Sequence, residues 1–311
     1  MKVVERIDDL RHLLDDARAE AWATRHPQTP STAVVGFVPT MGFFHDGHRS
    51  LMRAAAAAHD VVAVSLFVNP IQFGANEDLS GYPRDLERDI AVCEAEGVDF
   101  LFAPSVDEMY PGGAPLTGVA VADLSEGMCG VGRPIHFGGV ATVVTKLFSI
   151  VGPCTAYFGR KDFQQLAVIR RLAADLSLAV DVVGCPLVRE ADGVAMSSRN
   201  SYLNDRERDA ATVLFRSLRA GVAEVEAGER DPATLRRVVA NVITAEQRVR
   251  LEYAEVLDAD DLSSVETLAG DIVVAVAARV GPARLIDNVT LHVEGDAVTA
   301  DLGVIAGSDE E

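Results

Sequence analysis

Residues 33–68 read AVVGFVPTMGFFHDGHRSLMRAAAAAHDVVAVSLFV. They contain two short runs of β-branched and other apolar residues, at 33–38 and 61–68, typical of strands buried on both faces of a sheet. Between the runs lie a turn with two glycines and then residues 47–59, where five consecutive alanines favour a helix. The stretch therefore predicts a strand–helix–strand unit with two parallel strands.

The same alternation of strands and helices continues as far as residue 185. Helices are predicted at 86–96, 139–150 and 163–176, and strands at 99–103, 155–158 and 179–185. Such alternation predicts an α/β fold built on a Rossmann-like doubly wound parallel sheet. Ligands of these sheets bind beyond the carboxyl ends of the strands, so the loops that follow the strands are where we expect the chemistry.

The pattern changes after Pro186. Two helices are predicted at 204–228 and 231–247, and three strands at 249–257, 272–278 and 284–293. We therefore expect a first domain over residues 1–187 and a smaller C-terminal α+β domain over residues 188–311. The second domain ends in a short acidic tail at 307–311.

Composition excludes several classes of function. The 311 residues include 47 acidic and 28 basic side chains, a formal charge of −19, which argues against a nucleic-acid-binding surface. The amino-terminal residues lack the apolar core of a signal peptide, and the longest apolar runs have the length of strands, so no membrane association is expected. Four scattered cysteines indicate neither a disulfide framework nor a zinc site, and a cytoplasmic location is expected.

The first candidate site is PTMGFFHDGH, residues 39–48, between the first strand and the helix. His45 and His48 are three residues apart and lie on one side of the helix start, while Gly42 and Gly47 leave backbone N–H groups accessible. A helix N-terminus attracts anions and imidazoles can donate to phosphate oxygens, so the segment predicts a phosphate site. The histidine pair alone is a weak indication, and a zinc site would need a third ligand that no local spacing supplies.

Two more segments could contact a phosphate chain. In GRKDFQQ, residues 159–165, Lys161 is either a phosphate ligand or a solvated charge beside an aspartate that caps a helix. In AMSSRN, residues 195–200, two hydroxyls and a guanidinium could hold a polyphosphate. Taken alone, that second segment fits an ordinary polar connection better.

Three weaker signals lie between these segments. Gln72 could orient a small polar substrate with its donor and its acceptor. Residues 133–139 place an arginine and a histidine before a helix, and Asp89 could bind Mg²⁺ through carboxylate oxygens. Each of these alone fits a structural or surface role better.

Together the segments resemble the pantothenate synthetase family, the ATP-dependent pantoate–β-alanine ligases of the nucleotidyltransferase superfamily. The matching stretches occur in the family's order over about residues 33–204. They are PTMGFFHDGH (39–48), SLFVNPIQFG (65–74), YPRDLERD (82–89), RPIHFGGVATVV (133–144), YFGRKDFQQLAVIR (157–170) and VREADGVAMSSRNSYL (188–203).

The resemblance implies condensation of (R)-pantoate with β-alanine to pantothenate, AMP and pyrophosphate through a pantoyl-adenylate, in the pathway to coenzyme A. It also implies Mg²⁺ dependence, a homodimer and a cytoplasmic enzyme. The implied ATP-binding residues are Met41, Gly42, Phe43, Phe44, His45, Asp46, Gly47, His48, Gly159, Arg160, Lys161, Asp162, Val188, Met196, Ser197, Ser198 and Arg199. The implied catalytic residues are His45, His48, Lys161, Ser197, Ser198 and Arg199. Gln72 and Gln165 correspond to ligands of pantoate or β-alanine, and Asp89 to a metal ligand.

Two positions depart from the family pattern, and two other functions stay open. Arg160 stands where many members have Glu, and Arg88 stands where some have a second Asp. The first alternative is a related nucleotidyltransferase that transfers the nucleotide to a phosphorylated acceptor; Gln72, Gln165 and the segment 133–137 favour the ligase. The second is a catalytically silent nucleotide-binding regulator, against which the intact histidines and Lys161 argue.

Overall fold

The computed structural model describes residues 1–24, 34–74 and 79–307. Residue 33 of the first predicted strand and residues 308–311 of the predicted acidic tail lie outside the described residues. The chain divides into two compact units, Met1–Gly159 with Val168–Cys185 and Arg160–Ala167 with Pro186–Glu311. Residues 160–167, which the sequence placed with the first domain, therefore cluster with the second unit.

A six-stranded sheet forms the centre of the first unit. Its strands are β1 (Lys2–Val4), β2 (Val35–Thr40), β3 (Val61–Leu66), β4 (Phe100–Phe102), β5 (Cys154–Gly159) and β6 (Val180–Cys185). Their order in the sheet is β1-β4-β3-β2-β5-β6, and each neighbouring pair is parallel. This confirms the predicted doubly wound parallel sheet. The sequence did not predict β1, which is only three residues long and pairs at the edge with β4.

Helices connect the strands of this sheet. They are α1 (Ile7–Thr24), α2 (Asp46–Ala58), α3 (Leu86–Ala95), α4 (Val106–Met109), α5 (Cys129–Gly132), α6 (His136–Val151) and α7 (Phe163–Asp175). Short 3-10 helices occur at Pro70–Gln72, Arg160–Asp162 and Ser198–Tyr202. Helix α6 is apolar around most of its circumference, and 11 of its 16 residues are buried. Since such a helix cannot face solvent, it packs in the interior.

The chain order of the strands locates the expected ligand crevice. From β2 the chain adds β3 and β4 on one side, and later returns to add β5 and β6 on the other side. The order therefore reverses between β2 and β5, which pair directly through Gly36 with Thr155 and Phe37 with Ala156. Open α/β sheets bind ligands beyond the strand ends at such a reversal. The turn that begins after Thr40 lies at this position.

The second unit contains a four-stranded antiparallel sheet of β8 (Val249–Asp258), β9 (Gly270–Val280), β10 (Ala283–Glu294) and β11 (Ala297–Asp301). Their order in the sheet is β11-β10-β9-β8. A separate parallel pair joins β7 (Val188–Arg189) to β12 (Val304–Ile305). Its helices are α8 (Asp205–Ala211), α9 (Val213–Glu226) and α10 (Pro232–Thr244). Leu218 of α9, Leu235 of α10 and Val276 of β9 are fully buried in one core.

The prediction of one helix over 204–228 was wrong in one detail, because the helix is interrupted at Thr212. There the backbone N–H and the side-chain hydroxyl both donate to the carbonyl of Asp209, at 3.3 and 2.7 Å. A hydroxyl that competes for backbone carbonyls in this way disturbs the regular helical pattern.

All four cysteines are buried and carry free thiols. Within the described ranges, none of the helices combines the length and the apolar character that crossing a bilayer requires.

Candidate active site

The turn after β2 has an unusual backbone. Gly42 has φ 83° and Phe43 has φ 55°, so two consecutive residues occupy the left-handed region. Glycine adopts this region without steric penalty, whereas phenylalanine rarely does. A Cβ atom at Gly42 would lie 2.9 Å from Oδ2 of Asp89 and 3.0 Å from the side chain of Leu66. The turn therefore requires glycine at position 42 for its conformation and for the space.

Asp89 braces this turn from helix α3. Its Oδ2 accepts the backbone N–H of Phe43 at 2.7 Å, and its Oδ1 accepts that of Phe44 at 2.8 Å. The residue is 1% exposed, and burial raises the pKa of its carboxyl although the two hydrogen bonds act in the opposite direction. Both carboxylate oxygens are thus directed at backbone donors.

This arrangement does not fit the predicted role of Asp89 as a metal ligand. A Mg²⁺ ion would have to compete with two N–H groups for oxygens that solvent does not reach. The described part of the chain also holds no group of three His, Cys, Asp or Glu side chains arranged to bind a metal ion.

Arg88 contacts the same turn, which gives the departure at this position a structural role. Its guanidinium donates to the carbonyl of Phe44 at 3.1 Å and lies 5.1 Å from the centre of the Phe43 ring. The two neighbouring side chains of α3 therefore hold both the N–H groups and a carbonyl of the turn.

His45 and His48 stand together at the start of α2. His45 is the residue before the first turn, and its backbone N–H is directed at Nδ1 of His48 in a long contact of 3.4 Å. The two ring centres are 4.1 Å apart, and both side chains are partly buried. This contact favours the neutral tautomer in which Nδ1 of His48 accepts and Nε2 carries the hydrogen. An N–H donor at this position and the positive N-terminal end of the α2 dipole can bind the same anion.

Gln72 lies in a buried hydrogen-bond network. Asn69 donates its Nδ2 to Oε1 of Gln72 at 3.0 Å and to the carbonyl of Gly139 at 3.1 Å. Nε2 of Gln72 lies 2.9 Å from the sulfur of Met41, which connects Gln72 with the turn after β2. The hydroxyl of Tyr110 donates to Oδ1 of Asn69 at 2.8 Å. The network therefore fixes which end of the Gln72 amide is the donor.

Burial raises the pKa of Tyr110 to about 12, so its hydroxyl stays a donor at neutral pH. Sequence reasoning missed Tyr110 because it lies directly after the end of α4, outside every motif that the sequence indicated. Asn69 was also not assigned, although it belongs to the quoted stretch SLFVNPIQFG. His136 of the segment 133–139 approaches this network as well, with Nδ1 3.2 Å from the carbonyl of Gln72.

A cleft of about 500 Å³ opens beside this network. Its walls include Ile71, Gly139 and Thr142, and every residue that lines it is uncharged. Such walls provide no cation for a phosphate group, so the cleft does not compete with the turn after β2 as a phosphate site.

The remaining predicted residues lie at the end of β5 or in the second unit. Gly159 ends β5, and the next residues form the short helix Arg160–Asp162. Nζ of Lys161 lies 3.7 Å from the carboxylate of Asp162, and its side chain is 17% exposed. Gln165 is partly buried on α7.

The segment around residues 188–199 is held by local hydrogen bonds. Met196 donates its backbone N–H to the carbonyl of Val188 at 2.9 Å, so these two predicted residues are neighbours. Oγ of Ser197 accepts the backbone N–H of Arg199 at 3.3 Å and begins the helix Ser198–Tyr202. Ser197, Ser198 and Arg199 are all partly exposed and hence accessible to a ligand.

Comparison with known proteins agrees with this architecture. The family model for pantoate-beta-alanine ligase matches residues 2–290. A pantothenate synthetase from Heliobacterium modesticaldum is 55% identical over 273 residues, 88% of this chain and 96% of that protein. One from Roseiflexus is 51% identical over 292 residues, 94% of this chain and all of the relative.

Two solved structures are similar over almost the whole chain. The crystal structure of pantothenate synthetase from Thermus thermophilus has a TM-score of 0.83 and 43% identity, covering 93% of this chain and 98% of its own. Pantoate-beta-alanine ligase from Francisella tularensis, in complex with β-γ ATP and β-alanine, has a TM-score of 0.71 and 31% identity, covering 93% and 97%. The chain therefore belongs to the pantoate–β-alanine ligase family.

Proposed function

We propose that the protein condenses (R)-pantoate with β-alanine at the expense of ATP and releases pantothenate, AMP and pyrophosphate. The observation that carries this proposal is its membership of the ligase family over residues 2–290. The related Francisella enzyme, described with β-γ ATP and β-alanine, supports two of the three substrates. The product pantothenate places the reaction in the pathway to coenzyme A.

The first step is the formation of a pantoyl-adenylate. A carboxylate oxygen of pantoate attacks the α-phosphorus of ATP, and the bond to pyrophosphate breaks. Negative charge accumulates on the leaving pyrophosphate, where His45, His48 and the N-terminus of α2 would provide donors and positive potential. The backbone of residues 41–47, held by Asp89, would approach the nucleotide, and Gly47 adds no side chain that would block this approach.

Gln72 is proposed to orient pantoate for this attack. Oε1 of Gln72 already accepts a hydrogen bond from Asn69. Nε2 is therefore the atom that can donate to the substrate, in exchange for its weak contact with the sulfur of Met41. A neutral donor avoids the tight ground-state binding that an arginine would give to the attacking carboxylate. Gln165 is proposed as the second ligand of pantoate. In the second step the amine of β-alanine attacks the acyl carbon, and AMP leaves with the electrons of the acyl–oxygen bond.

Residues of the second unit are proposed to complete ATP binding. Lys161 and Arg199 would place cationic donors on phosphate oxygens, and the hydroxyls of Ser197 and Ser198 would add neutral donors. Further ATP contacts are proposed for Arg160, Asp162, Val188 and Met196, and for Gly159 of the first unit at the end of β5. Residues 1–187 would then bind nucleotide and pantoate, while residues 188–311 would act as a lid that protects the water-sensitive anhydride.

Mg²⁺, dimerisation and a cytoplasmic location are further parts of the proposal. Since Asp89 does not fit a metal ligand, we propose that Mg²⁺ is held chiefly by the phosphates of ATP. The homodimer and the cytoplasmic location rest on the family resemblance.

The test is a reaction in which each small substrate is omitted in turn. AMP release should require both pantoate and β-alanine, whereas isotope exchange between pyrophosphate and ATP should require pantoate alone. A related nucleotidyltransferase would keep AMP in its product, and a silent regulator would bind ATP without releasing AMP.

Two substitutions test the residue assignments. His48→Ala and Lys161→Ala should each lower the exchange rate by about 10²–10³-fold while the thermal midpoint stays close to that of the wild type. Exchange at the wild-type rate in either variant would overturn the role assigned to that residue.

A further inference from the structure

The turn that carries Lys161 is held by a side chain distant in the sequence. Asn288 lies on β10 and is 5% exposed. Its Nδ2 donates to the carbonyl of Arg160 at 3.0 Å and to the carbonyl of Lys161 at 2.9 Å. One amide group thus uses both of its hydrogens on two consecutive peptide units of the turn.

Asn288 is itself fixed by a buried ion pair. Its backbone N–H donates to Oδ1 of Asp287 at 2.7 Å, and its carbonyl accepts from the guanidinium of Arg189 at 3.2 Å. Arg189 and Asp287 are joined at 2.8 Å and are 0% and 2% exposed. The guanidinium also lies 3.9 Å from the centre of the Phe215 ring. A buried group with this many partners has little freedom to move.

A second contact holds the same turn from the neighbouring strand. The guanidinium of Arg160 donates to Oδ2 of Asp301 at 2.8 Å. Asp301 ends β11, and its Oδ1 accepts the backbone N–H of Gly303 at 2.9 Å. Strands β10 and β11 are paired, with Thr290 opposite Asp301. Both contacts therefore come from one sheet.

We propose that Asn288 and the Arg160–Asp301 pair are positioning groups for Lys161. Asn288 holds the peptide units on both sides of the Lys161 Cα atom, and the ion pair holds the side chain of the preceding residue. The sheet of the second unit thereby sets the position of the ammonium group. The inference rests on the proposed function, in which Lys161 contacts the phosphates of ATP. It also gives Arg160 a role in this chain, since a Glu at position 160 would face the carboxylate of Asp301.

The test reverses the charges of the Arg160–Asp301 pair by Arg160→Glu and Asp301→Arg. The two side chains are 38% and 35% exposed, so neither substitution should unfold the protein. In Arg160→Glu the two carboxylates repel, and the turn shifts. We expect the rate of pyrophosphate exchange to fall about tenfold, since a shift of about 1 Å at a reacting group costs up to about 10²-fold. Arg160→Glu combined with Asp301→Arg restores an ion pair and should return the rate to within about threefold of the wild type.

Asn288→Ala tests the second anchor and should lower exchange by about 10–100-fold. The matched control is Asp271→Asn. Asp271 of β9 and His292 of β10 form an exposed pair on adjacent strands, with 2.8 Å between Oδ1 and Nδ1, and the substitution removes the carboxylate from it. This control should leave exchange unchanged. In Arg160→Glu and Asn288→Ala, transfer of pantoate from preformed pantoyl-adenylate to β-alanine should fall less than pyrophosphate exchange does, because ATP and the leaving pyrophosphate take no part in that step.

The outcomes separate the positioning role from general structural damage. Failure of the double variant to recover, or equal losses in both half-reactions together with a lower thermal midpoint, would overturn the positioning role. So would wild-type exchange kinetics in Arg160→Glu. Absence of pyrophosphate exchange in the wild-type protein itself would instead refute the proposed function.

Discussion

Replacing Asp89 by asparagine tests whether this residue braces the turn or binds metal. Asparagine has the same shape, but its single carbonyl oxygen can accept from Phe43 or Phe44, while its NH₂ group faces the other backbone N–H. One buried donor then loses its partner. Hydrogen bonds to charged groups contribute about 1.5–3 kcal/mol each, and removing the buried charge offsets part of this loss. We therefore expect the free energy of unfolding to fall by about 1–3 kcal/mol.

The assay is urea denaturation, with Asp85→Asn as the matched control on the same helix. Asp85 is exposed and caps α3 by accepting the backbone N–H of Arg88 at 3.1 Å. Asparagine caps helices about as well as aspartate, so this control should change stability by no more than a few tenths of a kcal/mol.

A second readout is the Mg²⁺ concentration that gives half-maximal pyrophosphate exchange. If Asp89 only braces the turn, Asp89→Asn lowers the rate but leaves this concentration unchanged. Wild-type stability in urea together with about a tenfold higher Mg²⁺ requirement would refute the reasoning and identify Asp89 as a metal ligand.

Three further predictions concern stability and the buried network. Gly139→Ala would place a Cβ atom 2.5 Å from backbone atoms of residues 71 and 72. It should lower the free energy of unfolding by at least about 1–3 kcal/mol and abolish pyrophosphate exchange. The control is Gly138→Ala, which has open space around it and should be neutral or slightly stabilising. Glu96→Gln removes a carboxylate that is buried against two arginines. Burial acts to raise the pKa of Glu96, but the two arginines outweigh it and the pKa is lowered. The stability that the charge of Glu96 provides is therefore present above the ordinary pKa of 4.5 and is lost as the pH falls through the lower pKa of the folded state. The difference in urea midpoint between the wild type and Glu96→Gln should accordingly be large at pH 7 and shrink below pH 4.5. Tyr110→Phe leaves an oxygen of Asn69 without its donor and should lower stability by about 1–3 kcal/mol and slow exchange; an unchanged urea midpoint and rate would show that this hydrogen bond does not support the network.

Local patterns predicted much of the fold correctly. The predicted helix at 86–96 is α3, and the strand at 179–185 is β6, each within one residue at either end. The reason is that buried strands and amphipathic helices are encoded by residues close together in the chain. The break at Thr212 and the short edge strand β1 were missed, because one depends on a single side-chain hydrogen bond and the other on pairing with β4.

Residue-level roles were harder to predict where the partner is distant in sequence. Asp89 was considered as a metal ligand because its carboxylate is chemically suited to Mg²⁺, yet the structure places it under the turn at Phe43 and Phe44. Nothing in the chain near Asn288 indicates that it holds the Lys161 turn, since the contact exists only after the strands of the second unit have assembled.

The amino-acid sequence by itself determined the parallel-sheet class, the family and the segments in which the chemistry lies, since periodicity and motifs are properties of neighbouring residues. Only the tertiary structure decided the strand order, the bracing of the turn by Asp89, the orientation of the Gln72 amide and the anchoring of Lys161. These features depend on burial and on hydrogen bonds between residues far apart in the chain. Such contacts form only when the elements pack together, so no local pattern encodes them.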